Sequence, residues 1–207
     1  MTSESNLSHY PYADALHHAH HNYLDKDVLE LLAHLSGGRV FELGCGNGSF
    51  AKVLHDCGYD VTAVDPSVNG VSLAKSHFPG IAFAVGSAYD NLAAKFGKFQ
   101  AVVSLEVVEH IFDPRRYAKA IYDLLDEGGV AIISTPYHSY LKNVALAVSG
   151  KMDAHFTALW DYGHIKFWST KTLHSLLAEA GFREISFRRV GRVPPLAKSM
   201  IALGKRP

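Results

Sequence analysis

The chain has 207 residues, with 20 basic (Lys and Arg), 20 acidic and 13 histidine side chains, so its formal net charge is zero when histidine is neutral. That length fits one domain with a substantial core, and 48% hydrophobic with 19% charged residues excludes a wholly disordered chain. Zero net charge argues against a protein whose main work is gripping a nucleic-acid backbone, and two cysteines, Cys45 and Cys57, supply no disulfide framework or paired zinc motif.

Histidine is concentrated early, at His9, His17, His18, His20, His21 and His34. His17 and His21 have the i, i+4 spacing that can bind a metal on a helix. No Cys or carboxylate completes such a set, so this segment, with Tyr10 and Tyr12, reads better as a cap over a ligand site. The start lacks a basic stretch followed by an apolar run, and no segment reaches the ~18 apolar residues that cross a bilayer. A cytoplasmic chain is expected.

Residues 25–35 predict an amphipathic helix, with Val28, Leu29, Leu32 and Leu35 on one face and Gly37-Gly38 stopping it. Short apolar strands are then predicted at 39–43, 60–64, 81–85, 100–105 and 129–134. They alternate with helices at 48–57, 68–77 and 113–125, the last opened by Asp113 as N-cap and Pro114 at the first helical position. This alternation implies a parallel sheet covered on both faces. The pattern breaks after Thr135-Pro136, where residues 137–168 are rich in Tyr, His, Phe and Trp. A helix near 170–180 and two strands at 182–190 and 199–205 follow, the strands suited to an antiparallel edge.

Between the first strand and its helix lies Glu42-Leu43-Gly44-Cys45-Gly46-Asn47-Gly48. Its glycines let the backbone turn sharply and approach a ligand closely, at the carboxyl end of the sheet where open α/β folds bind. Asp65 ends the second strand, placed to accept both hydroxyls of a ribose. The spacing is G-x-G-x-G rather than the G-x-G-x-x-G of dinucleotide sites, which counts against a nicotinamide-dependent oxidoreductase.

Over roughly residues 38–135 the chain resembles the class I S-adenosylmethionine-dependent methyltransferases. The resemblance rests on the glycine loop, Val64-Asp65-Pro66, Gly86-Ser87-Ala88-Tyr89-Asp90, Leu105-Glu106-Val107-Val108-Glu109-His110 and Leu125-x-x-Gly128-Gly129, all in register. It implies a Rossmann-like, seven-stranded, mostly parallel α/β sheet with helices on both faces and an antiparallel terminal edge strand. The expected organisation is a single methyltransferase domain over 1–207: cap helices at 1–37, a cofactor-binding half at 38–135, an acceptor-side insertion at 136–168, and a final helix and strand pair at 169–207. By the same resemblance Gly44, Cys45, Gly46 and Gly48 contact the methionine part of S-adenosyl-L-methionine. Asp65, followed by Pro66, holds the ribose, and Ser87, Ala88 and Tyr89 flank the adenine. The positive sulfonium favours acidic neighbours such as Glu42, with Glu106 on the sulfur side. Cys45 is small enough for the turn and is assigned no redox role.

Glu106, Glu109 and His110 are spaced i, i+3, i+4 and would share one face of a helical turn. His164 follows in Gly163-His164-Ile165-Lys166-Phe167-Trp168-Ser169. Together the four could hold a divalent cation that lowers the pKa of a hydroxyl acceptor. This side is similar to two branches of the family: the ubiquinone-biosynthesis O-methyltransferases, and the small-RNA 3′-terminal 2′-O-methyltransferases with their Glu-x-x-Glu-His motif and later metal-binding histidine. Three roles stay open for His110: a metal-free general base with Glu109, a metal ligand, or a structural bond to a carbonyl. The apolar run 140–148 can be a packed lid helix, a peripheral membrane contact or a dimer contact. His155, Phe156, Trp160, Tyr162 and Trp168 can line an acceptor pocket or fill a core.

The expected function is methyl transfer to oxygen of a small or prenylated aromatic acceptor. RNA 2′-O-methylation, transfer to N or C of a small metabolite, and a degenerate binding subunit are the alternatives. A small-molecule partner is expected and nucleic acid is not; the sequence leaves the oligomeric state open.

Overall fold

Apolar runs separated by helices form a seven-stranded sheet: β1 (Arg39–Leu43), β2 (Asp60–Asp65), β3 (Ala82–Val85), β4 (Phe99–Ser104), β5 (Leu125–Pro136), β6 (Arg183–Val190) and β7 (Ser199–Lys205). The order is β3-β2-β1-β4-β5-β7-β6, with every pair from β3 through β5 parallel. The terminal strands supply the expected antiparallel edge: β7 pairs antiparallel with both β5 and β6, leaving β6 outermost. The computed structural model describes residues 12, 22–35, 37–193 and 197–207. His9, Tyr10, His17, His18, His20 and His21, read from sequence as a cap, lie outside the described residues.

Helices start where the sequence supplies caps. α1 (Asn22–Leu32) continues into a 3₁₀ turn, Ala33–Leu35. α2 (Ser49–Asp56) follows Gly48 in a left-handed conformation. α3 (Val68–His77) is capped by Ser67, which accepts from Gly70 N at 3.1 Å. α4 (Leu92–Phe96) is capped by Asn91 and α5 (Pro114–Leu124) by Asp113, with Pro114 at its first position. α8 (Thr170–Glu179) opens with a reciprocal Ser169/Thr172 capping box.

The helices bury apolar stripes on opposite faces of the sheet. On one face Tyr117, Ile121 and Leu124 of α5 meet Leu173 and Leu177 of α8. On the other, Leu24 and Val28 of α1 join Phe50 and Leu54 of α2 and Val71 of α3. β5 begins four residues earlier than its apolar run. Phe99 faces Leu125, the register shifts, and Ala101 faces Val130, so residues 126–129 are accommodated as an irregularity around the positive-φ Gly128.

The insertion after β5 holds α6 (Tyr140–Val148) and α7 (Met152–Phe156). α6 is not a packed lid: none of its residues is buried, and Tyr140 and Val148 are 81% and 86% exposed. No helix among the described residues is long and apolar enough to cross a membrane.

The core assignment is testable at Ile121, which is fully buried. Ile121→Ala should cost about 3 kcal/mol, lost transfer energy and a cavity combined. Denaturant unfolding should show this as a lower midpoint with an unchanged m-value, whereas a loss under about 1 kcal/mol would remove Ile121 from the load of the core.

Candidate active site

The carboxyl ends of β1 and β2 are tied together by their connecting backbone. Gly44 N and Cys45 N both donate to Val64 O, at 2.8 and 3.0 Å. Gly46 N donates to Asp65 Oδ2 and Ser67 N to Asp65 Oδ1, each at 2.8 Å. Asp65 therefore holds the loop while each oxygen keeps a further lone pair for a ligand. Gly44 and Gly46 have φ of +87° and +52°, and a Cβ would drive Gly44 into Val107 and bring Gly46 within 2.6 Å of the Tyr12 hydroxyl. The Tyr12 ring thus covers the loop, as expected of a cap residue, and its backbone N donates to Asn69 Oδ1 at 3.0 Å.

Below the loop opens a cavity of about 480 Å³. Its wall contains Glu42, Gly44, Cys45, Gly46, Asp65, Pro66, Ser87, Ala88, Tyr89, Glu106, Glu109, His110 and His164, all named from sequence. Gly48 is the exception: it faces away, packed toward Ala74 and Phe83 at the start of α2. Sequence reasoning assigned no site role to Phe50 and Ile111, apolar lining residues whose only signal was adjacency to the motifs, or to Val107 within one of them.

Besides Asp65, the cavity wall holds two buried carboxylates, Glu42 and Glu109, and the half-buried Glu106. Glu42 has one oxygen without a hydrogen-bond partner, and burial, reinforced by Asp65 and Asp25, pushes its pKa up to about 8. Glu106 sits in the left-handed region, φ +54°, where its N donates to Ser134 Oγ at 2.9 Å and its Oε1 accepts from the same hydroxyl at 2.8 Å. Burial raises its pKa to about 7. Glu109 is 1% exposed with neither oxygen hydrogen-bonded, and burial, then the Glu106 charge, pushes its carboxyl well above the usual range.

Glu109 and His110 lie on a 3₁₀ turn, Val108–His110, held from across the chain. Ile165 N and Lys166 N both donate to Glu109 O at 3.0 Å, and Trp168 Nε1 donates to Val108 O at 3.2 Å. This clamp brings His164 to His110, with ring centroids 5.0 Å apart, and places His164 Nε2 4.0 Å from Glu109 Oε1. Donor atoms of Glu109, His110 and His164 all lie within 4.8 Å of one another. Glu106, expected as a fourth member, is outside this group and is engaged by Ser134. Burial lowers the pKa of His110, and lowers that of His164 to about 4 with help from His110 and His155. Both imidazoles are therefore neutral at pH 7. His110 Nδ1 lies 3.2 Å from Gly163 O; in the neutral tautomer that donates there, Nε2 keeps its lone pair.

The aromatic residues divide by position. Trp160 and Tyr162 line the cavity. Trp168 is buried in the core behind the turn. Phe156 stacks in a separate cluster with His138, His155 and Phe167.

A family profile described as "Methyltransferase domain" matches residues 16–186. Among curated proteins the chain is similar to ubiquinone biosynthesis O-methyltransferases. It is 34% identical to that of Caulobacter sp. (strain K31), over 60% of this chain and 49% of the relative. It is 30% identical to that of Cereibacter sphaeroides (strain KD131 / KCTC 12085), over 76% of this chain and 64% of the relative. The chain thus spans only 49% to 64% of the length of those relatives. Among solved structures, magnesium protoporphyrin IX methyltransferase from Synechocystis PCC 6803 with bound SAH aligns with TM-score 0.69 at 19% identity, covering 89% of this chain and 82% of that one. A methyltransferase from Thermotoga maritima, described as a possible histamine N-methyltransferase, aligns with TM-score 0.65 at 20% identity, covering 90% and 91%. The chain belongs to the methyltransferase-domain family and has the fold of its S-adenosylmethionine-dependent members.

Proposed function

We propose that the chain transfers a methyl group from S-adenosyl-L-methionine to an oxygen of a small or prenylated aromatic acceptor. The observation that carries this reading is the single cavity running from the glycine loop to the Glu109–His110–His164 cluster. The residues suit the cofactor: a loop whose Gly44 and Gly46 leave no room for a Cβ, an unpartnered Glu42 oxygen facing a ligand with cationic groups, and Tyr89 beside Ala88 as a wall for a flat base. When bound, the cofactor supplies an activated methyl on a good leaving group, so the chain's task is alignment and proton removal. Gly44, Cys45, Gly46 and Glu42 hold the methionine end, Asp65 with Pro66 the ribose, and Ser87, Ala88 and Tyr89 the adenine. Glu106 faces the sulfur side.

Neutral His110 takes the acceptor's hydroxyl proton on Nε2. Trp160 and Tyr162 bracket a flat acceptor. The similarity to ubiquinone biosynthesis O-methyltransferases supports a phenol or catechol. Exposed Tyr140, Leu141, Val144 and Val148 on α6 suit an apolar tail or a membrane surface.

One observation favours a second form of this reading. Two neutral imidazoles and a carboxylate with both oxygens unpartnered fit a divalent cation. Held by Glu109, His110 and His164, it would lower the pKa of a hydroxyl beside it.

Asp65→Ala should weaken adenosylhomocysteine binding about tenfold or more in calorimetry; unchanged affinity would remove Asp65 from the cofactor site. His110→Ala should slow methylation of a catechol roughly a hundredfold with cofactor affinity retained, and an unaltered rate would exclude its role as base. The cation has its own test. Because burial raises the Glu109 pKa, metal binding must displace a proton and strengthen as pH rises. Mn²⁺ titrations in buffers of different ionisation enthalpy should give different heats, and the absence of binding would leave the metal-free form.

A further inference from the structure

A second cavity, of about 490 Å³, lies between α6 and the residues Arg192, Ala197 and Lys198, away from the glycine loop. Lys142 of α6, Arg192 and Lys198 between β6 and β7, and His155 of α7 all line it. Among the described residues no acidic side chain lines it, and none of the three cations forms an ion pair. In a chain with zero net charge this is a marked local asymmetry. The floor is apolar, formed by Leu146 and Ala197.

From this juxtaposition we infer a second ligand site, for an organic phosphate monoester. A monoester carries a charge near −2 at neutral pH and three acceptor oxygens. Arg192 can engage two of those oxygens in its planar fork, while Lys142 and Lys198 act as point charges. His155 adds a neutral N–H. The cavity is much larger than a bare phosphate, and its apolar floor gives an attached carbon skeleton somewhere to lie. Lys142 is held in place by donating to Tyr137 O at 3.3 Å. Its pKa is lowered by burial and by Arg192, like charges crowded together that a bound dianion would relieve. The site shares no lining residue with the cofactor cavity, so it stands or falls independently of the methyl-transfer reading.

The test uses the full chain, with phenyl phosphate as soluble probe, phenol as its uncharged counterpart, and vesicles of phosphatidic acid against phosphatidylcholine. Phenyl phosphate should bind in calorimetry with an affinity that falls as salt is raised, and phenol should not. Arg192→Ala and Lys142→Met should each weaken binding at least about tenfold while adenosylhomocysteine affinity and melting temperature stay unchanged. Binding confined to phosphatidic acid vesicles, and lost in the same variants, would support the site and assign its phosphate to a lipid headgroup. No binding of either phosphate, or binding unaffected by both substitutions, overturns the proposal.

Discussion

One carbonyl receives two amides, and the acceptor side of this protein depends on it. Glu109 O accepts from both Ile165 N and Lys166 N, joining the turn after β4 to a segment more than fifty residues later. The Trp168 indole adds a third bond to the same turn through Val108 O. Without this clamp His164 would have no reason to stand beside His110, and the buried Glu109 carboxylate would face an open surface. The clamp is anchored in the core at two points: Val108 is fully buried, and Trp168 nearly so. Backbone hydrogen bonds shielded from water are costly to leave unmade, so the turn and the segment hold each other in a single arrangement.

Electrostatics then separate the two halves of the cavity. On the cofactor side, burial raises Glu42 and Glu106, with Asp65 also raised but opposed by two amide donors. Carboxylates arranged this way gain from a positively charged ligand, which restores their ionised form. On the acceptor side the imidazoles are held neutral, ready to take a proton or offer a lone pair. Groups with opposite perturbations in one cleft are what proton transfer beside a cationic donor requires. Surface ion pairs such as Lys119–Asp123 and Arg115–Glu179 are well exposed and screened by solvent, so they add little. The site is therefore held by the packed core behind it.

Much of this was legible in the sequence, for identifiable reasons. The central strands are apolar runs bounded by glycine or a carboxylate, and the long helices repeat their apolar residues every three or four positions. The glycine loop and Asp65 could be placed because their conformational demands are local. α4 and α7 were not anticipated, since five residues cannot establish a helical period. The early start of β5 was hidden because Asp126, Glu127 and Gly128 read as a turn. The approach of His164 to His110 came from family resemblance, because no local pattern encodes a contact across 54 positions. The exposure of α6 and the gathering of Lys142, Arg192 and Lys198 around one cavity are tertiary facts, since Lys142 lies far from the other two in the chain.

The central claim is that this cavity delivers the methyl group to oxygen on an aromatic ring. It is tested most directly by incubating the chain with adenosylmethionine carrying a ¹³C-labelled methyl and an unsubstituted catechol, then locating the label in the product. The account predicts ¹³C in an aryl methyl ether, formed one for one with adenosylhomocysteine. Label on ring carbon, or a chain that binds adenosylmethionine yet methylates no catechol or phenol, would contradict it.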